Sequence, residues 1–131
     1  MSSGLKQVIL MRRDLKMRRA ALAALTARAS SEFIFGNDTS EQDDVLSVPL
    51  SREEVEWLNQ GSTRIVLGVQ SEAALRSLVF KAEMAGVACY PVSGRSVEAS
   101  DKSEDSEVLC AALGPDDASK IDEITGNLKL L

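Results

Sequence analysis

Five basic side chains, Arg12, Arg13, Lys16, Arg18 and Arg19, stand between positions 12 and 19 with one acid, Asp14, among them. The segment reads as a strand exit running into a helix start. Backbone N–H groups point outward at such a place, so cations gathered there can hold phosphates at close range. A second group comprises Arg95 and Ser96, directly after Gly94, with Asp101 further along the same polar stretch. A guanidinium, a hydroxyl and a carboxylate are groups that can steady an oxyanion, orient a water and take its proton. Asp14 is a further base candidate, although an aspartate near a helix start more often orders the loop or caps the helix. The chain has no histidine, so no imidazole is available for acid–base work.

Cys89 and Cys110 lie in apolar stretches without CxxC spacing. That pattern fits two buried thiols, not zinc ligands or a disulfide framework. The acidic stretch 38–44 (DTSEQDD) lacks the glycine and ligand spacing of a calcium loop and reads as solvated. Neither a metal nor an organic cofactor is expected. Trp57 and Tyr90 are the large aromatics that stacked bases would use, but both read as core-edge residues. Sequence-specific recognition of single strands by stacking is therefore not expected.

These residues need a scaffold, and 131 residues suffice for one domain with a real core. The formal net charge of −5 conceals an asymmetry. Residues 1–30 carry seven basic side chains against Asp14, whereas residues 31–58 carry eight acids against Arg52. The concentrated patch matters more for anion binding than the overall sign. No apolar run is long enough to span a bilayer. The first residues lead directly into a strand without the pattern of a secretory leader, so a cytoplasmic setting without membrane contact is expected.

Residues 6–11 (KQVILM) form an apolar run of strand length, as in a strand covered on both faces. Residues 20–35 are alanine-rich, free of Gly and Pro, and read as a helix with Gly36 just past its end. Residues 37–50 are acidic and Ser-rich and read as a flexible surface loop. Ser51 with Glu54 makes a capping box for a second helix. Strands are expected at 63–69, 87–90 and 107–113, with a third helix from Ser71 to about Gly86 and a last helix over 116–124. Strands alternating with helices imply an α/β layer fold, a single domain over residues 1–131.

The stretch 114–131 (GPDDASKIDEITGNLKLL), together with 6–17 (KQVILMRRDLKM), closely resembles the type 2 peptidyl-tRNA hydrolases. Asn127 stands where that family usually has histidine. The resemblance spans nearly the whole chain, and it implies a three-layer domain whose mixed four-stranded sheet carries helices on both faces. It also implies a hydrolase of the ester joining a peptide to the 3′ end of tRNA. The family's helix motif, Gly-Lys followed by Ala-Ala-Gln and Ala-His-Ala, falls on Ala20, Ala21, Leu25 and Arg28 here. Glycine, lysine, glutamine and histidine are thus all replaced. In the family's loop motif, Asp-Ala-Gly-Arg-Thr-Gln, the aspartate falls on Val92, or on Ser93 if the alignment slips by one. Gly94 and Arg95 remain, and Ser96 keeps a hydroxyl in place of threonine.

Ester hydrolysis needs a group to activate water and a donor or cation at the oxyanion. The resembled family's lysine and aspartate are the natural providers, and both positions are apolar here. The expectation is a catalytically degenerate relative that binds tRNA or another RNA through Arg12, Arg13, Lys16, Arg18 and Arg19, or binds a protein partner. A homodimer is among the assemblies expected of it. The alternative is an active hydrolase whose rearranged site uses Arg95, Ser96 and Asp101.

Overall fold

The computed structural model describes residues 4–35, 39–94 and 107–131. At its centre lies β1 (Leu5–Arg12), an apolar strand whose Val8, Ile9, Leu10 and Met11 are completely buried. A strand buried on both faces must be flanked and covered on all sides. β1 pairs in parallel with β4 (Arg64–Val69) and antiparallel with β6 (Glu107–Asp117). β5 (Cys89–Gly94) adds antiparallel to the outer side of β6, giving the sheet order β4-β1-β6-β5. The expected mixed four-stranded α/β sheet is thus the one observed. Pro91, which has no N–H to donate, lies in the outer strand β5, where a missing donor is tolerated.

Alternation along β1 divides the core into two clusters. Val8 and Leu10 meet Leu67, Val69, Leu113 and the helices α3 (Glu72–Met84) and α4 (Ala118–Thr125), through Leu75, Ala82 and Ile121. Ile9 and Met11 face the other way, toward Leu25 and Ala29 of α1 (Arg19–Phe35), together with Val92 and Cys110. Small residues on α1 permit this close approach to the sheet. The helix α2 (Arg52–Asn59) packs beside α1, where the rings of Phe33 and Trp57 meet edge to face with centroids 5.8 Å apart. Helices therefore cover both faces of the sheet.

Local signals hold at the helix starts. The Ser51 hydroxyl accepts from Glu54 N while Glu54 accepts from Ser51 N, which completes the expected capping box. Ser71 caps α3 by accepting from Ala74 N, and Asp117 caps α4 by accepting from Ser119 N. The last strand differs from expectation, because β6 runs on through Gly114–Pro115 to Asp117 before α4 begins. Its end is held by pairing of Asp116 and Asp117 with Lys6 and Leu5. Within the stretch read as an acidic loop, Ser40–Gln42 and Val45–Ser47 (β2 and β3) pair as a small hairpin. All six of these residues are exposed.

Gly114 turns the chain with φ of +84°. An added Cβ would stand 2.7 Å from Asp116 N and 2.9 Å from Lys6 O, both backbone atoms that cannot yield separately. Gly114→Ala should therefore lower the unfolding free energy by about 2–4 kcal/mol. Urea denaturation monitored at Trp57 measures this, and a loss below about 1 kcal/mol would show that the turn relaxes freely.

Candidate functional site

The segment from Arg12 to the first turn of α1 and the end of β5 are the two places where function is expected. Both emerge from the sheet, and β1 delivers the first of them. Arg12 itself is only 8% exposed. Its Nε and Nη2 donate to the two carboxylate oxygens of Asp14 at 2.9 and 2.7 Å. Its Nη1 donates to Glu107 Oε1 at 2.7 Å and to Val108 O at 3.1 Å. A two-pronged guanidinium–carboxylate pair of this kind is strong and geometrically specific. It holds the Asp14 carboxyl below its ordinary range, through the hydrogen bonds from Arg12 first. Glu72 adds a second tie by accepting from Val108 N at 2.9 Å, and that bond, with help from Arg76, lowers its own carboxyl.

Arg12, expected from sequence to hold phosphate, is here bonded within the fold. With four of its five N–H donors given to two carboxylates and a carbonyl, it fastens the start of β6 to the end of β1. Asp14, held by the same pair, is a poor proton acceptor. Arg13 is also engaged, donating to the carbonyl of Leu130 while its guanidinium lies across Gly68. Lys16, Arg18 and Arg19 differ from these two. All three are exposed, and no ion pair engages them among the described residues. They precede or open α1, whose first turn carries no acid to compete. Three cations of the cluster thus stand at a positive helix end with no ion pair among the described residues.

The replaced family positions go two ways. Ala20 is exposed and Ala21 is half-buried at the first turn of α1. Arg28 is exposed and pairs with Glu32 at 3.4 Å along the same helix. Leu25 and Val92, by contrast, are 9% and 2% exposed and belong to one apolar cluster with Ile9, Met11, Leu109 and Cys110. Leu15, Met17, Leu22 and Tyr90 pack against it. Hydrocarbon thus fills the surroundings of both side chains. Ser93, the alternative alignment for the aspartate, is exposed beyond an irregularity in the β5–β6 register. Arg95, Ser96 and Asp101 lie outside the described residues.

Burial pushes the Cys89 thiol up to about 11 and the Cys110 thiol up to about 12, so neither supplies a thiolate nucleophile near neutrality. Among the described residues, no group of three His, Cys, Asp or Glu side chains could hold a metal ion. No described helix is long and apolar enough to cross a membrane. Trp57 is buried and donates from Nε1 to Thr63 O, while Tyr90 donates to Glu54, so both aromatics serve the interior.

What sequence reasoning missed is the partnership of Arg12 with Glu107, residues separated by 95 positions. The only local hint was Asp14 two residues from Arg12.

Comparison with known proteins was informative over the whole length. Residues 5–131 match the family described as Peptidyl-tRNA hydrolase PTH2. The chain is 37% identical to a peptidyl-tRNA hydrolase of Aeropyrum pernix, covering 97% of this chain and 96% of that one. It is 35% identical to the one from Haloquadratum walsbyi, covering 96% and 99%. It is 32% identical to that of Methanothermobacter thermautotrophicus, covering 97% and 100%. Among solved structures it is similar to a protein of unknown function from Agrobacterium tumefaciens strain C58. That likeness, at 18% identity, a TM-score of 0.57 and 97% coverage of each chain, concerns the fold alone.

Placing a carboxylate at Val92 would bury it among the apolar side chains of this cluster. Val92→Asp should cost about 3–5 kcal/mol in chemical denaturation. Ala21→Lys, at a half-buried helix start, should change stability by less than about 1 kcal/mol. A well-tolerated Val92→Asp would mean that the cluster retains a polar cavity. Asp14 supplies a pH test. Its folded carboxyl is lowered from 3.8, so its contribution is present above that value and fades as pH falls through the lowered one. Asp14→Asn should reduce stability at pH 7 and flatten its decline below about pH 4. An unchanged acid limb would remove Asp14 from that role.

Proposed function

The chain belongs to the type 2 peptidyl-tRNA hydrolase family, and from that premise we propose that it is a catalytically degenerate member kept for binding tRNA or another RNA. The observation that carries this reading is the burial of Leu25 and Val92 in one apolar cluster where the family places a glutamine and an aspartate. Replacement by polar residues would have left room for water and a rearranged set of donors. Replacement by packed hydrocarbon removes the donors and the water together. Loss of one oxyanion donor alone slows comparable reactions by about 10²–10³-fold. Loss of acid–base assistance slows them by about 10²–10⁴-fold, although the two effects do not simply multiply.

Binding of RNA rests on Lys16, Arg18 and Arg19. These cations are exposed, sit at the positive end of a long helix, and face no acid in its first turn. Helix N–H groups and three exposed cations suit phosphate oxygens without reading bases. The engagement of both large aromatics inside the fold supports backbone recognition over stacking. The second reading, an active ester hydrolase, would draw on Arg95, Ser96 and Asp101. What favours it is the retained Gly94-Arg95 pair and the hydroxyl of Ser96.

Single-turnover hydrolysis of an N-blocked aminoacyl-tRNA with protein in excess separates the two. Release of tRNA at the uncatalysed rate is expected, and a rate well above it would establish the second reading. Affinity for deacylated tRNA should fall with salt at a log–log slope of about −2 to −3, as three neutralised phosphates require. The double variant Arg18→Glu/Arg19→Glu should weaken binding by tenfold or more while leaving the fold intact. Undiminished affinity in that variant would overturn the RNA-binding proposal.

A further inference from the structure

An open groove of about 730 Å³ lies away from the Leu25–Val92 cluster. It is bounded by the end of β4, by α3, and by the tail that follows α4. Its floor is apolar, formed by Val69, Leu78, Ile124 and Leu128. Three cations from three different elements line it: Arg13 after β1, Lys81 of α3 and Lys129 of the tail. Among the described residues no aspartate or glutamate lines it, in a chain that holds 20 acids against 15 bases. Lys81 and Lys129 are exposed and make no ion pair among the described residues. Asn127, Ser77 and Gln70 add polar groups at the edge.

The walls are fixed. The tail is drawn to the edge of β4 by Gly68 N donating to Lys129 O at 2.9 Å and by Leu131 N donating to Val66 O at 3.2 Å. The Arg13 guanidinium crosses Gly68 to reach Leu130 O, which the lack of a side chain at Gly68 permits. One donated bond leaves other guanidinium N–H groups for a ligand. The spacing of Ser77, Lys81 and Met84 puts them along one stripe of α3, and Met84 is 74% exposed there. Apolar surface therefore continues past the lysine to the open side.

We propose that this groove is a binding site for a small amphiphilic carboxylate, with an anionic head and an alkyl or aryl body. Unopposed cations around an apolar floor call for a ligand that carries both features. A nucleic-acid backbone would satisfy the cations but leave the floor unused, and a neutral apolar ligand would leave the cations unmatched. The volume is in the range of small-molecule sites. The head sits between Lys81 and Lys129, within reach of Arg13, and the body lies along Leu78, Ile124 and Leu128.

Decanoate serves as the probe, titrated into the isotopically labelled full chain and followed by amide chemical shifts. Saturable shifts at Gly68, Gln70, Ser77 and Asn127 are expected at about 1 mM or tighter. Decanol, which keeps the body, and inorganic phosphate, which keeps only charge, should each bind at least tenfold more weakly. Lys81→Glu/Lys129→Glu should abolish the decanoate shifts while the rest of the spectrum stays in place. Since both lysines are exposed, this variant is expected to fold; Lys81→Gln with Lys129→Gln provides a milder pair with the same expected loss. The proposal is overturned by absence of saturation, by shifts centred elsewhere, or by full affinity in either lysine variant. It is equally overturned if the same amides shift with protein concentration alone. That outcome would assign the groove to a second copy, whose exposed hairpin offers Glu41, Asp43, Asp44, Val45 and Leu46.

Discussion

Everything in this molecule is registered on β1. Val8 to Met11 have no contact with water, so their alternation sets which helix covers which face and where each neighbouring strand must lie. A one-residue slip of this strand would exchange the two core clusters. Two features resist that. Gln7, buried near the start of the strand, exchanges hydrogen bonds with Ser30 of α1 through both its amide oxygen and its amide nitrogen. Arg12, at the other end, is gripped by Asp14 and Glu107. Breaking either set would leave a buried polar group unsatisfied, which costs more than the bond itself contributes.

The Arg12 corner also explains why a basic sequence cluster yields fewer free cations than its composition suggests. A guanidinium emerging from a buried strand lies close to the chain segments that pack around it. Its desolvation is offset only by carboxylates brought equally close. Lys16, Arg18 and Arg19 lie past the strand, exposed and without an ion pair among the described residues. The step from Arg12 to Lys16 is short along the chain, but it crosses the boundary between core and solvent.

A parallel boundary runs through the replaced family positions. Ala21 and Arg28 lie on the outer part of α1, and exchange there alters chemistry with little consequence for packing. Leu25 and Val92 face inward and join the core, where each buried side chain stabilises the fold by about 1.5–3 kcal/mol. The substitutions that remove function on this reading are thus also ones that add to the apolar interior.

Sequence alone determined a good deal. Alanine content, period and end residues located the four helices among the described residues, and the apolar run at 6–11 identified the central strand. The family was legible from the two ends of the chain. These were legible because they are local, governed by side-chain spacing, by turn residues, or by motif order. Three things were decided only by tertiary structure. Arg12 is bonded to Glu107, a residue far away in sequence that the antiparallel pairing of β1 with β6 brings near. Val92 and Leu25 became neighbours because β5 and α1 share one face of the sheet. The groove with Arg13, Lys81 and Lys129 exists only because the tail folds back along β4. Contacts of that kind depend on strand order and register, which no short window of residues encodes.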